Sequence, residues 1–79
     1  MEDLSGRYAT PARAPFGAWL LQQKGRDGLI GQLAIGATAD RGFPRHGDPE
    51  DVRQRLTKLH ADSDMFAAVD DAELDWLSV

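Results

Sequence analysis

Residues 40–51 read DRGFPRHGDPED. This stretch decides the fold, because it has to end one helix and begin another. Pro44 biases Phe43 toward extended backbone, so a helix arriving from the N-terminal side stops there. Asp48-Pro49-Glu50-Asp51 then opens a new helix. Asp48 is the N-cap, Pro49 takes the first helical position where an N–H would be unpaired anyway, and two acids sit at the positive end of the helix dipole. Phe43 reads as a plug between the flanking helices, since a chain this small has few large apolar groups to fill a core. The stretch also carries Arg41, Arg45 and His46, which packing does not require. It therefore raises the question of whether the loop binds something or only joins two helices; the reading favours a joint.

Working outward, Val52, Leu56 and Leu59 form the apolar stripe of the helix that follows. Upstream, Asp27 is a suitable N-cap for a helix with Ile30, Leu33, Ala34 and Ala37 on one face and Leu29 beside them. Gly31 and Gly36 each weaken that helix by about 1 kcal/mol relative to alanine. Their presence predicts close approach of a neighbour and makes this helix the expected centre of the packing. An earlier helix begins at Pro15, carries Phe16, Trp19 and Leu20 on one stripe, and ends near Lys24-Gly25 with a left-handed glycine.

Downstream, a short element from about Asp64 holds Met65, Phe66 and Val69. Asp70-Asp71-Ala72-Glu73 then has the form of a capping box opening a last helix with Leu74, Trp76 and Leu77. Nothing alternates with a period of two, so no strands are expected. The predicted fold is all-α, a compact bundle of about five short helices over residues 15–79. Residues 1–14 are expected to be a mobile arm anchored by Leu4 or Tyr8. The expected core is Phe16, Trp19, Leu20, Ile30, Leu33, Phe43, Leu56, Phe66 and Trp76. Both tryptophans are expected inside it near Phe16 and Phe66, with Trp19→Ala costing about 3–5 kcal/mol.

The chain has 79 residues and no cysteine, which allows one small domain without disulfide or thiolate-metal support. There is no apolar run of about 20 residues to span a membrane, and the N-terminus lacks the apolar core of a secretory signal. A soluble, cytoplasmic protein is expected. The net charge of −4 hides an uneven distribution. Residues 1–61 carry nine Lys or Arg against seven acids, whereas residues 62–79 carry six acids and no base. Such an asymmetry bears on partners rather than on fold.

The order Phe16-x-x-Trp19-Leu20, Ile30-Gly31-x-Leu33-Ala34, Asp40-x-x-Phe43-Pro44, a capped helix with Val52 and Leu56, and a C-terminal helix with Trp76 resembles the YozE-like family of small bacterial proteins. The similarity covers about residues 15–77, and its most specific part is Asp40-x-x-Phe43-Pro44. The resemblance implies a fold similar to the sterile alpha motif and a five-helix bundle. It implies little about activity, because folds of that kind serve protein interaction in some settings and nucleic-acid binding in others, and fold does not fix function.

A basic patch of Arg41, Arg45, His46, Arg53, Arg55 and Lys58 is the candidate site for phosphate or partner contact. On a helical wheel Arg55 and Lys58 lie on one flank of the buried stripe and Arg53 on the other, with Glu50 and Asp51 spaced to pair with Arg53 or Arg55. A nucleic-acid module ordinarily shows an overall basic charge or one basic face. The acidic end, residues 62–75, offers a surface for a basic partner or a phosphate mimic, yet its acids also fall where helix starts favour negative charge.

His46 with Asp48, and His60 with Asp62 and Asp64, lack the spacing of a metal-ligand set. No nucleophile elbow, P-loop or dinucleotide fingerprint is present. No catalytic residue, cofactor or metal is expected, and no membrane contact. The expectation is a non-catalytic helical domain that binds another protein. The alternative is a DNA- or RNA-associated accessory protein, for which replacing Arg45 and Arg55 by Glu should abolish binding without lowering the melting temperature.

Overall fold

The structure, a computed structural model, describes residues 13–79. They form four helices: α1 (Phe16–Leu21), α2 (Gly28–Ala39), α3 (Pro49–Lys58) and α4 (Ser63–Leu77). No strand occurs among the described residues. The anchors expected at Leu4 and Tyr8 lie outside them.

The principal departure from the sequence reading is at the C-terminus, where two expected helices are one. Asp62 supplies the N-cap, its side chain accepting from the Met65 N–H at 3.3 Å, and the helix runs without a break past Asp70. The carboxylates of Asp70 and Glu73, which in sequence form a capping box, instead accept from the Arg53 guanidinium on α3 at 2.8 and 2.7 Å. Continuity places Ala68, Val69 and Ala72 on one buried stripe. An unbroken apolar stripe of this kind is what stabilises a helix through its packing.

α4 is also the packing centre, touching α1, α2 and α3. The expectation that α2 would be central is met only in part: its interface with α4 is the most extensive in the fold, but α4 packs on more of the bundle. α2 packs on α1 and α4 but not on α3, and leaves Leu29 and Ile35 exposed. Its two mid-helix glycines, Gly31 and Gly36, have different surroundings. A Cβ at Gly31 would overlap the Arg26 carbonyl in the preceding turn, whereas Gly36 faces open space. The left-handed glycine is Gly28 at the start of α2, with φ 82°, and not Gly25. α1 stops at Leu21 and gives way to turns, with Pro15 one position before the helix as its N-cap.

The core holds Phe16, Leu20, Leu33, Phe43, Val52, Leu56 and Val69, together with Ala34, Ala37, Ala68 and Ala72. Trp19, Ile30, Phe66 and Trp76 are half-buried against it, so the tryptophans clothe the core rather than fill it. Phe16 lies between them, stacked on Trp19 at 6.0 Å and meeting the edge of Trp76 at 5.5 Å. The Trp76 indole N–H donates to the Ala14 carbonyl at 2.7 Å, and the Arg13 guanidinium covers the Trp76 ring at 5.1 Å. These contacts tie the chain before α1 to the end of α4. Leu59, read as part of the buried stripe of α3, is exposed, as are Leu74 and Leu77.

α3 closes in a Schellman motif. The His60 N–H donates to the Thr57 carbonyl and the Ala61 N–H to the Leu56 carbonyl, with His60 in the left-handed region at φ 56°. That position favours glycine, because a Cβ there crowds the following carbonyl.

Two stability measurements follow from this packing. Phe16→Ala, which empties the centre of the aromatic cluster, should cost about 3–5 kcal/mol in chemical denaturation, and Trp19→Ala measurably less. His60→Gly should raise stability by about 1 kcal/mol, an outcome that a thermal melt of the single variant checks.

Candidate functional site

The opening loop is a structural joint in atomic detail. Asp40 ends α2, and its carboxylate does two things at once. It accepts from the Gly42 N–H at 2.9 Å in an Asx turn, and it receives a two-pronged contact from Arg55, with Nε at 2.9 Å and Nη2 at 2.6 Å. The guanidinium lies against Gly42, where any Cβ would collide with it. The arginine beside it holds the Asp40 carboxyl below the usual carboxylate range, as hydrogen bonding to the charged form does.

Phe43 inserts into the core. Its N–H donates to the Asp40 carbonyl, and the Gly47 N–H to the Pro44 carbonyl, so two turns follow one another. The Gly47 carbonyl accepts from the Gly17 N–H of α1 at 3.0 Å, and a side chain at Gly17 would overlap the Pro44 carbonyl. Asp48 and Asp51 then cap α3 reciprocally, at 2.9 and 3.0 Å.

The expected basic patch does not gather as one. Arg53 is engaged by Asp70 and Glu73 of α4, with Glu50 more distant at 3.9 Å. Asp70 first, and then Glu73, hold it more firmly protonated. Arg55 is engaged by Asp40. The local pairing expected with Glu50 and Asp51 is thus largely replaced by pairing across the fold. Arg41, Arg45, His46 and Lys58 are exposed and have no ion pair with another described residue. Lys58 lines a shallow depression of about 250 Å³ with Gly42, Pro44, Asp51, Gln54 and Arg55. His60 serves the α3 terminus and Asp62 caps α4. Among the described residues no three His, Asp or Glu side chains are grouped to hold a metal ion.

The more distinctive feature lies between α2 and α3. Because these helices do not pack on each other, a groove of about 190 Å³ opens between them. Leu33, Ala37, Phe43 and Leu56 contribute apolar surface to it, Leu59 and Met65 form part of its wall, and Gly36 leaves it open on the α2 side. Among the described residues, the Asp40–Arg55 pair is the one charged element in its lining. Sequence reasoning placed Leu59 on the buried stripe of α3 and did not single out this groove. A signal was present, however. α2 reads GLIGQLAIGATA, with no charged residue in 12 positions, although a surface helix normally carries charge on its outer face.

Compared with known proteins, the chain shows no significant match to any family model, curated protein or solved structure. No helix among the described residues is long and apolar enough to cross a membrane.

The Asp40–Arg55 contact sets a pH dependence. A carboxyl whose folded pKa lies below its unfolded value contributes stability that is fully present above the unfolded pKa and is lost as pH falls through the folded one. Wild type should therefore lose stability more steeply than Asp40→Asn as pH drops below about 4. The charge reversal Arg55→Glu should lower the melting temperature even at neutral pH, because it sets two carboxylates against each other. Denaturation curves of the three proteins across the acid range check both outcomes.

Proposed function

We propose that this chain is a non-catalytic helical module that binds another protein through the groove between α2 and α3. The observation that carries the reading is the apolar lining of that groove, with Leu59 half exposed on its wall. Its volume of about 190 Å³ is below the roughly 300–1,000 Å³ of small-molecule sites. It suits one or two apolar side chains presented by a partner, the anchor-and-pocket arrangement in which interface energy concentrates.

The YozE-like resemblance and the sterile-alpha-motif-like arrangement belong to the same proposal, as does a cytoplasmic setting. Their support within the chain is that Asp40-x-x-Phe43-Pro44, the most specific part of the resemblance, acts as one physical unit: Asp40 bonds α3 and Phe43 fills the core. The nucleic-acid alternative draws less support. Arg53 and Arg55 already bond carboxylates, and Arg55→Glu would report lost stability as much as lost binding.

An affinity pull-down from native extract should recover a partner that Leu59→Glu loses and that Leu74→Glu, altered on the outer face of α4, retains. Equal recovery by the two variants, or nothing above an empty matrix, removes the groove as a binding site.

A further inference from the structure

No neighbour among the described residues requires a glycine at position 36. A glycine in mid-helix destabilises by about 0.5–1 kcal/mol relative to alanine, and where Gly17 and Gly31 are forced by backbone atoms that a Cβ would strike, a Cβ at Gly36 would meet nothing within 4 Å among the described residues. It lies at the mouth of the apolar groove. Around it, Leu29, Gln32, Ile35 and Ala39 are all exposed, and with Gly36 they span an arc of about 120° on a helix of 3.6 residues per turn. This face contains no charge. The exposed surfaces of the two following helices differ in that respect: α3 presents Glu50, Asp51 and Lys58, and α4 presents Asp64, Asp70, Asp71 and Asp75.

We infer that this face of α2 is the contact between two copies of the chain, packed helix on helix about a two-fold axis near Ile35 and Gly36. The inference rests on the groove being an interaction site, and it names the occupant. Two properties select a second copy. The first is charge. A chain of net charge −4, with six acids in residues 62–79, repels its copy through most orientations, and the α2 face brings no like charges together.

The second property is shape. An isologous interface must be its own complement, and here the protrusion and the opening are consecutive residues of one helix. Ile35 is 57% exposed, and Gly36 beside it leaves the groove uncovered. A two-fold axis near the middle of α2 sets Ile35 of each copy against the opening of the other. The missing side chain at Gly36 lets the two backbones approach closely.

The test is sedimentation of the full 79-residue chain over serial dilution. Wild type should sediment at the mass of two chains when concentrated and move toward one on dilution. Ile35→Glu and Gly36→Glu should be monomeric throughout, with wild-type helical content by circular dichroism, since both positions are exposed. Gly36→Ala separates the interface from the fold: it should raise the melting temperature measured at monomeric concentrations while weakening association several-fold. A wild type that stays monomeric at every concentration overturns the dimer, as does association unaffected by the two glutamate variants. A monomeric wild type whose pull-down partner is still lost on Leu59→Glu rejects the second copy and leaves the groove reading standing.

Discussion

The bundle depends on the seating of one loop. Residues 40–47 connect two helices that pack on α1 and α4 rather than backbone to backbone on each other, and the loop joins those helices in fixing their separation. It does so through three kinds of interaction acting on three different neighbours. The Asp40 carboxylate reaches α3 through Arg55, the Phe43 ring enters the shared core, and the Gly47 carbonyl accepts from Gly17 at the start of α1. Gly17 cannot carry a side chain without striking the loop. A backbone contact of this closeness has no tolerance for a methylene, because packed interiors relax only by small displacements.

The same arrangement produces the groove. With α2 and α3 held apart, and joined at one end by the Asp40–Arg55 pair, the space between them is lined by side chains the core does not fully cover. In a domain of this size the buried fraction of the surface is limited, and a lasting apolar opening is a cost unless another molecule covers it. The charges are distributed accordingly. Arg53 reaches across to α4, Arg26 pairs with Asp75, and Arg55 reaches back to Asp40. Much of the positive charge thus holds helices together, while α2 carries none.

Those pairs also explain why the acidic C-terminal segment tolerates its charge. Asp70 and Glu73 accept from one guanidinium, and Asp75 pairs with Arg26 from the turn after α1. Partly exposed pairs of this sort contribute modestly to stability. Their more definite effect is on register, since Arg53 can satisfy both acceptors only if α3 and α4 lie at one relative rotation. Arg13 adds a contact of another kind, donating to the Leu77 carbonyl while covering the Trp76 ring.

Local signals in the sequence determined the helical class, the start of α3 at Asp48-Pro49, the stop of α2 before Gly42, and five of the seven large core residues. Each of these follows from groups a few residues apart: a cap, a proline, an apolar period of 3.6. The tertiary structure decided what the long-range partners control. Asp70 and Glu73 form a capping pattern when only their neighbours are considered, and they become ion-pair acceptors because Arg53 lies across from them, leaving α4 unbroken. Leu59 belongs to the core by periodicity and to a groove wall by position, because no partner helix covers it. Gly31 and Gly36 are alike in sequence, and only the Arg26 carbonyl distinguishes them. Spacing along a chain fixes which side chains share a face of a helix; what stands opposite that face is set by contacts between residues far apart in sequence.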